Sequence, residues 1–140
     1  AYDPTALTDD FLIEAHVPHP LAEMVVGMRR DPQFGWSLTL GSGGIYVELL
    51  QDTKTLLLPT DGSQIAKAIR SLKLFALLDG FRNRPKTDLT SLSAQILSLC
   101  HFVQNTQNHL QEIEINPLFI YETHGQAVDA LVRCDAVPPV

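Results

Sequence analysis

The spacing of the apolar residues changes twice along this chain, and the changes restrict the folds that it can adopt. Apolar residues recur at every second position in segments 11–17 and 36–40, which is typical of half-buried strands. Between Ile65 and Val103 they recur at every third or fourth position, which is typical of helices. Residues 112–133 return to a strand pattern around a turn at residues 122–125. Strands, then helices, then a hairpin predict an α+β domain with a mainly antiparallel sheet and helices on one face.

Local signals predict the limits of these elements. Thr60–Asp61 and Asp88 have the residue types of helix N-caps, and Gly80 is expected to end the first helical region. Gly27, inside a predicted strand, is expected to mark a bulge or a close backbone approach. The predicted strands are residues 11–17, 22–30, 36–40, 53–58, 112–121 and 126–133, and the second helix is expected to run to about residue 108.

Composition argues against several classes of protein. The 140 residues fit one domain, and 45% of them are apolar, which is enough for a core. The net charge of −6 and the lack of a basic run argue against a nucleic-acid partner. No apolar run approaches the roughly 20 residues of a membrane span, and residues 1–10 are too acidic for a signal peptide. We therefore expect a cytoplasmic protein with no membrane partner, in which Cys100 and Cys134 are reduced structural residues.

The predicted strand at residues 112–121 carries a group of polar side chains. Glu112, Glu114 and Asn116 are two residues apart, so a strand places them on one face. Pro117 cannot donate a ladder hydrogen bond, which predicts a frayed or bulged sheet. Folding the hairpin brings Asp129 roughly opposite Asn116, with Glu114 as a diagonal neighbour. Such oxygen ligands suit Mg²⁺ completed by phosphates; the alternative is a hydrogen-bonded Asn–Asp pair at a sheet edge beside solvated glutamates.

Three glycines, Gly41, Gly43 and Gly44, lie between two apolar runs. No lysine followed by serine or threonine comes after them, and they do not open a βαβ unit, so the segment is not a P-loop or a dinucleotide fingerprint. Its backbone N–H groups could still form a nest for an anion. The alternative is a tight turn that needs positive φ. Arg29 and Arg30 precede this segment and could supply positive charge to a phosphate; the alternative is an exposed strand edge.

These features together resemble a known family. The chain is similar to the second half of the ATP-grasp domain of NDP-forming acyl-CoA synthetases, which include ADP-forming acetate–CoA ligases, and more distantly to the succinyl-CoA synthetase β subunit. The matching segments, in the family's order and spacing, are "AEMVVGMRRDPQFG" (22–35), "LGSGGIYVELLQD" (40–52), "LLDGFRNRPKTD" (77–88) and "EIEINPLFIYETHGQAVDA" (112–130). The combination is more specific than any one segment. An unrelated α+β domain with chance matches is the alternative.

The resemblance implies a function and a set of partners. In this family an ATP-grasp unit phosphorylates a histidine on a partner domain. Phosphate then passes between that histidine, an acyl phosphate and ADP, while CoA accepts the acyl group. The implied cofactors are Mg²⁺ and ATP (or GTP) with ADP. The implied partners are the His-bearing and CoA-binding domains of a parent protein and a carboxylic acid or acyl-CoA substrate. The acid, the preferred nucleotide and the formation of a homo-oligomer are left open.

The resemblance also implies roles for individual residues. The implied metal ligands are Glu114, Asn116 and Asp129. The implied nucleotide-binding residues are Glu14, Glu23, Gly41, Gly43 and Gly44, and the implied catalytic residues are Arg30 and Glu48. Phosphoryl transfer mainly requires positioning and neutralisation of charge. Carboxylates with Mg²⁺, an arginine and backbone amides can supply both.

Three positions depart from the family pattern. They are Trp36, where the family usually has proline, Asn83, where it usually has glycine, and Leu131, where it usually has arginine. Asn83 and Leu131 favour an alternative function. In that alternative the chain is a non-catalytic regulatory or ligand-sensing module of a multidomain acetyltransferase of the same architecture.

The resemblance further predicts the limits of the domain. We expect a lead or linker at residues 1–10, the ATP-grasp C-terminal subdomain at residues 11–135 and a tail at residues 136–140, all within a larger multidomain protein. The lysine that contacts the phosphates belongs to the first half of the family's ATP-grasp domain, which lies outside these 140 residues. We therefore expect this chain to be part of an acid–CoA ligase and, in isolation, to fold without turning over ATP.

Overall fold

A computed structural model describes residues 13–44, 51–106 and 109–135. From residue 22 onwards, the described residues form strands, then helices, then strands, as the apolar spacing predicts. The strands are β1 (Ala22–Asp31), β2 (Gly35–Ser42), β3 (Thr53–Leu57), β4 (Leu110–Ile120), β5 (Gly125–Ala127) and β6 (Ala130–Cys134). The helices are α1 (Gly62–Arg70), α2 (Phe75–Leu78) and α3 (Leu89–Asn105), with a 3₁₀ turn at Phe81–Asn83. Among the described helices, none is both long and apolar enough to cross a membrane.

The six strands form one antiparallel sheet with β1 in its centre. The order is β3-β2-β1-β4, with β5 and β6 pairing one after the other along the far side of β4. β1 pairs with β2 from Met24 to Asp31 and with β4 from Ala22 to Arg29. Both edges of β1 are therefore occupied. The predicted α+β class and antiparallel sheet are confirmed.

Helices α1 and α3 cover one face of this sheet. Alternate residues of β1 and β2 point into the core on that side, and Met24, Val26, Met28 and Leu38 are fully buried. The helices contribute to the same core the side chains of Ile65, Ile69, Leu92, Ile96 and Val103. No described helix covers the other face, which we call the open face; it includes Val25, Gly27, Arg29, Thr39, Glu112 and Glu114.

The predicted helix caps are confirmed. The side chain of Asp61 accepts a hydrogen bond from the N–H of Gln64 at 2.9 Å, which caps α1. Asp88 accepts from the N–H groups of Thr90 and Ser91 at 3.0 and 3.1 Å, which caps α3. These bonds satisfy N–H groups that have no partner within the helix. Gly80 follows α2 with a φ of +94°, a conformation that glycine adopts without strain.

The predicted strand at residues 11–17 is wrong for its described part, because residues 13–20 are irregular. The neighbouring strand β1 cannot pair with this segment, because β2 and β4 occupy both of its edges, and no other described strand pairs with residues 13–20. Other contacts hold the segment: the hydroxyl of Tyr121 donates to the carbonyl of Pro18 at 2.6 Å, and Arg84 donates to the carbonyl of Pro20 at 3.0 Å. Residues 11 and 12 lie outside the described ranges. Helix α3 also ends at Asn105, slightly before the predicted limit.

The predicted hairpin is present, but its return strand is split and its bulge lies away from Gly27. Met24 pairs with Leu118 and Val26 with Ile115, so Asn116 and Pro117 together face one residue of β1. The bulge predicted at Pro117 is therefore confirmed. Gly27 itself lies in regular ladder positions, opposite Thr39 on one side and Glu114 on the other. The expectation of a bulge at Gly27 is wrong.

Candidate functional site

The glycine segment, residues 41–44, comprises the end of β2 and the two residues after it, and it packs tightly on its neighbours. A Cβ at Gly41 would lie 2.7 Å from the carbonyl oxygen of Asp52, and one at Gly43 would lie 2.6–2.9 Å from backbone atoms of Met24. Real Cβ atoms do not approach backbone so closely, so both positions need glycine for lack of space. Gly44 needs it for its conformation, with a φ of +69°. Residues 45–50, including Glu48, lie outside the described ranges.

The carboxylate of Asp52 holds the end of β2, at Ser42, in place. It accepts hydrogen bonds from the Ser42 hydroxyl at 2.9 Å, the Lys73 N–H at 2.9 Å and the Leu74 N–H at 3.0 Å. The N–H of Ser42 also donates to the backbone carbonyl of Asp52 at 3.1 Å. Burial would raise the pKa of the Asp52 carboxyl, but these hydrogen bonds and the charge of Lys73 hold the pKa below its usual value. The carboxylate therefore ties the end of β2 to the turn after α1.

Asn116 joins the glycine segment to the acidic strand. Its side-chain oxygen accepts from the N–H of Gly44 at 3.3 Å, and its side-chain nitrogen lies 3.5 Å from a carboxylate oxygen of Glu114. The N–H of Gly43 donates to the carbonyl of Glu23 at 2.8 Å. The Glu23 carboxylate occupies the space where a Cβ of Gly44 would lie. Residues 23, 43, 44, 114 and 116 thus form one group, although they come from three strands or their ends.

Asp129 lies directly across the hairpin from this group. The N–H of Asn116 donates to the carbonyl of Asp129 at 3.2 Å, and the N–H of Val128 donates to the carbonyl of Pro117 at 3.2 Å. These bonds connect β4 to residues 128 and 129, which lie between β5 and β6. Asp129 is exposed there. The backbone of Asp129 therefore lies beside Asn116 at one break in the sheet, in the register that the turn position predicts, and its role as a metal ligand stays a prediction.

The oxygen donors around Asn116 include carboxylates and one amide. Within the described residues, no three His, Cys, Asp or Glu side chains converge on a common point. A cation here would thus need the amide oxygen of Asn116 and oxygens of a ligand as well as the carboxylates. Mg²⁺ is bound in this way, by one or two carboxylates together with phosphate oxygens. The residues present fit that ion.

Two predicted site residues do not join the group. Arg30 is exposed at the far end of β1, opposite Trp36, whereas the glycine segment pairs with the beginning of that strand. Glu14 is exposed within the irregular residues 13–20. Arg29, rather than Arg30, lines a pocket of about 200 Å³ on the open face together with Glu114. The roles of Arg30, Glu14 and Glu48 stay predictions.

One of the three positions that depart from the family pattern, Asn83, fits the local backbone conformation. Asn83 has a φ of 61°, in the left-handed region where glycine is usual and where asparagine is the best substitute among the larger residues. The replacement of glycine therefore leaves the turn's backbone conformation accessible. Leu131 lies opposite Glu114 and is 52% exposed. No described neighbour explains a leucine there.

The family is shown by comparison with known proteins. Residues 1–134 match the model of an ATP-grasp domain. The chain belongs to this ATP-grasp family. The resemblance to the ATP-grasp region of NDP-forming acyl-CoA synthetases that the sequence motifs predict is thereby confirmed.

Two curated relatives are subunits of acid–CoA ligases from Pyrococcus furiosus. The beta subunit of acetate–CoA ligase [ADP-forming] I is 36% identical over 108 residues, which are 77% of this chain and 46% of that protein. The beta subunit of acetate–CoA ligase [ADP-forming] II is 31% identical over 109 residues, 78% of this chain and 46% of that protein. The chain thus spans about half the length of these curated relatives.

A solved structure with the same fold contains a nucleotide. It is the dinucleotide-forming acetyl-coenzyme A synthetase 1 of Ca. Korarchaeum cryptofilum, with a TM-score of 0.77 and 27% identity over 85% of this chain and 55% of that chain. That protein is in complex with coenzyme A and Mg-AMPPCP, and its phosphohistidine segment points towards the nucleotide binding site.

Proposed function

We propose that this chain is the metal- and phosphate-binding half of the ATP-grasp unit of an ADP-forming acyl-CoA synthetase. The observation that carries the proposal is the junction at Asn116, whose side chain contacts both the N–H of Gly44 and the carboxylate of Glu114. At this junction the proposed oxygen ligands Glu114 and Asn116 lie next to the backbone N–H of Gly44. Phosphoryl transfer requires both kinds of group, the first for a metal ion and the second for anionic oxygens.

Each residue of the group has its own task in this proposal. Glu114, Asn116 and Asp129 would bind Mg²⁺, which would bridge phosphate oxygens and neutralise their charge. The N–H of Gly44, whose hydrogen bond to Asn116 is long at 3.3 Å, would be shared with those oxygens, whereas the N–H of Gly43 donates to the carbonyl of Glu23. The Glu23 carboxylate lies beside Gly44 and would repel a bare anion there. A phosphate would therefore bind well only together with its cation.

The wider reaction follows from similarity to the acid–CoA ligases. In the proposed reaction the phosphate passes to a histidine on a partner domain of a cytoplasmic parent protein, and the phosphohistidine segment of the similar synthetase supports such an arrangement. A second domain would bind CoA, and a carboxylic acid would be the acyl donor. Arg30 and Glu48 remain proposed catalytic residues, and Glu14 a proposed nucleotide contact, on the strength of the family motif alone.

The test is the substitution Asp129→Ala in the full-length parent protein. We expect the affinity for Mg-ATP to fall by about tenfold or more, because one of the few protein ligands of the ion is lost. Phosphorylation of the partner histidine should fall in parallel. The measurements are calorimetric titration with Mg-ATP and transfer of labelled phosphate. Glu122→Ala, which removes an exposed carboxylate at the hairpin turn, is the control for the change of charge.

The outcomes separate the possible functions. Unchanged affinity and unchanged phosphorylation in Asp129→Ala would show that the ligand assignment is wrong. Nucleotide binding without phosphorylation of any histidine in the unaltered parent would favour the regulatory module instead. Equal losses in both variants would mean that overall charge, and not the group at Asn116, governs binding.

A further inference from the structure

Gly27 lies in the middle of the central strand, and neither its conformation nor its described neighbours require a glycine. Its φ lies outside the left-handed region. A Cβ built on it would come within 4 Å of only one described atom, the Cβ of Thr39 at 3.9 Å, which is an ordinary contact. By contrast, Gly43 could not carry a Cβ without overlapping the backbone of Met24. Glycine weakens the interior of a strand, so its presence at position 27 calls for a reason outside these residues.

The missing side chain leaves a hollow on the open face. A pocket of about 200 Å³ lies over Gly27, and its walls include Val25, Arg29, Thr39 and Glu114. Sites that hold a whole small molecule usually have volumes of roughly 300–1,000 Å³. This hollow is therefore suited to one group of a larger ligand. Because Gly27 is paired on both sides, its backbone is engaged in the sheet and offers a flat surface for van der Waals contact.

The charges around the hollow indicate what that group is. Glu112 lies directly across from Arg29 and forms an ion pair with Arg133 at 3.2 Å, so much of its charge is compensated. Glu114 is directly across from Gly27 and belongs to the proposed metal ligands. The hollow therefore has the carboxylate of Glu114, a proposed metal ligand, on one side and the guanidinium of Arg29 on the other. An anionic group that carries its own divalent cation matches both sides.

We propose that Gly27 is a ligand-contact position, and that a magnesium-bound phosphate group of the nucleotide packs on its bare backbone between Glu114 and Arg29. The inference rests on the proposed function, since it assumes that the ligand is a nucleotide with its metal. It adds a specificity-determining residue that has no side chain of its own. A methyl or isopropyl group at position 27 would occupy the space of the phosphate and leave the sheet intact.

The experiment is a graded series, Gly27→Ala and Gly27→Val, in the full-length parent protein. Mg-AMPPCP is titrated calorimetrically, and the thermal midpoint of unfolding is measured for each variant. Gly27→Val should weaken binding by about tenfold or more, a loss of about 1.4 kcal/mol or more, and Gly27→Ala by less. The midpoint should stay constant or rise, because β-branched residues favour strands. Gly62→Ala is the matched control, since Gly62 begins α1 and has no described atom within 4 Å of its Cβ position.

The results distinguish this inference from the proposed function. Weaker binding in the order glycine, alanine, valine, with normal folding and an unaffected control, supports a ligand on Gly27. If the unaltered protein binds Mg-AMPPCP and both variants bind within threefold of it, the inference is wrong and the proposed function stands. If the unaltered protein does not bind Mg-AMPPCP, the proposed function fails and the inference fails with it. Should the valine variant unfold, the alanine variant decides by the same threefold criterion.

Discussion

The two faces of the sheet differ in where their residues find partners. On the covered face, Met24, Met28 and Leu38 pack against the helices and are buried within the chain. On the open face, Asn116 contacts both Glu114 and Gly44, but Asp129 is exposed. A folded chain minimises exposed apolar surface, so the covered face accounts for stability. The open face carries polar groups whose arrangement folding alone does not explain.

Glycine residues illustrate the same difference. Gly43 is required by the close approach of Met24, a reason that lies inside the chain, whereas Gly27 has no such reason among the described residues. A substitution can therefore be assigned to folding or to binding before it is made. The following variants test that assignment in order of their expected effect on stability.

The largest effect is expected on the covered face, for Leu38→Ala. Leu38 has no exposed surface, and removing most of its side chain leaves a cavity beneath the helices. The free energy of unfolding should fall by about 2–5 kcal/mol, as for other buried leucines. Urea unfolding measures it. Leu57→Ala is the matched control, because Leu57 is 54% exposed and should lose far less. Similar losses at the two positions would contradict the proposed core.

Most of the fold was predictable because its signals are local. The spacing of apolar residues, the caps Asp61 and Asp88, and Gly80 act within one or two turns of chain. The strand predicted at residues 11–17 failed because pairing is not local. Its alternation is correct for a strand, but β1 is already paired on both edges, and no described strand pairs with residues 13–17.

The candidate site was predictable only in part, for the same reason. Asn116 and Asp129 lie in one hairpin, so the position of the turn determines that they meet. Whether Arg29 or Arg30 lies on the same face as Glu114 depends on the register between β1 and β4, which lie far apart in sequence. Asp52 was missed because two of its donors, Lys73 and Leu74, are 21 and 22 residues away. The only hint is an acid placed between apolar runs.

An intermediate effect is expected for Asp52→Asn, because Asp52 joins the end of β2 to the turn after α1. The amide offers one acceptor oxygen where the carboxylate offers two, so one of the buried donors from Ser42, Lys73 or Leu74 loses its partner. The free energy of unfolding should fall by about 1–3 kcal/mol. Asp79→Asn, in an exposed ion pair with Lys86, is the matched control and should change little. A loss no larger than that of the control would show that Asp52 does not hold the end of β2 in place.

The effect of Asp52 should also depend on pH. Because its pKa is lowered in the folded protein relative to the usual 3.8, the carboxylate stabilises the folded state above about pH 4. That contribution is lost as the pH falls through the lowered pKa. The difference in unfolding free energy between Asp52→Asn and the unaltered chain should therefore shrink in acid. A difference that grows below pH 4 would contradict the assignment of the charged form to the folded state.

The smallest effect is expected on the open face, for Arg133→Ala. Arg133 and Glu112 form an ion pair at 3.2 Å, but the arginine side chain is 65% exposed. Exposed pairs of this kind contribute about 0.2–1 kcal/mol, and the contribution should vanish at about 1 M salt, where charges are screened within roughly 3 Å. Urea unfolding at low and high salt measures both values. A loss comparable to that of Leu38→Ala would mean that the open face stabilises the fold as strongly as the covered face. A small, salt-dependent loss would instead mean that its charges can be arranged for a ligand at little cost to folding.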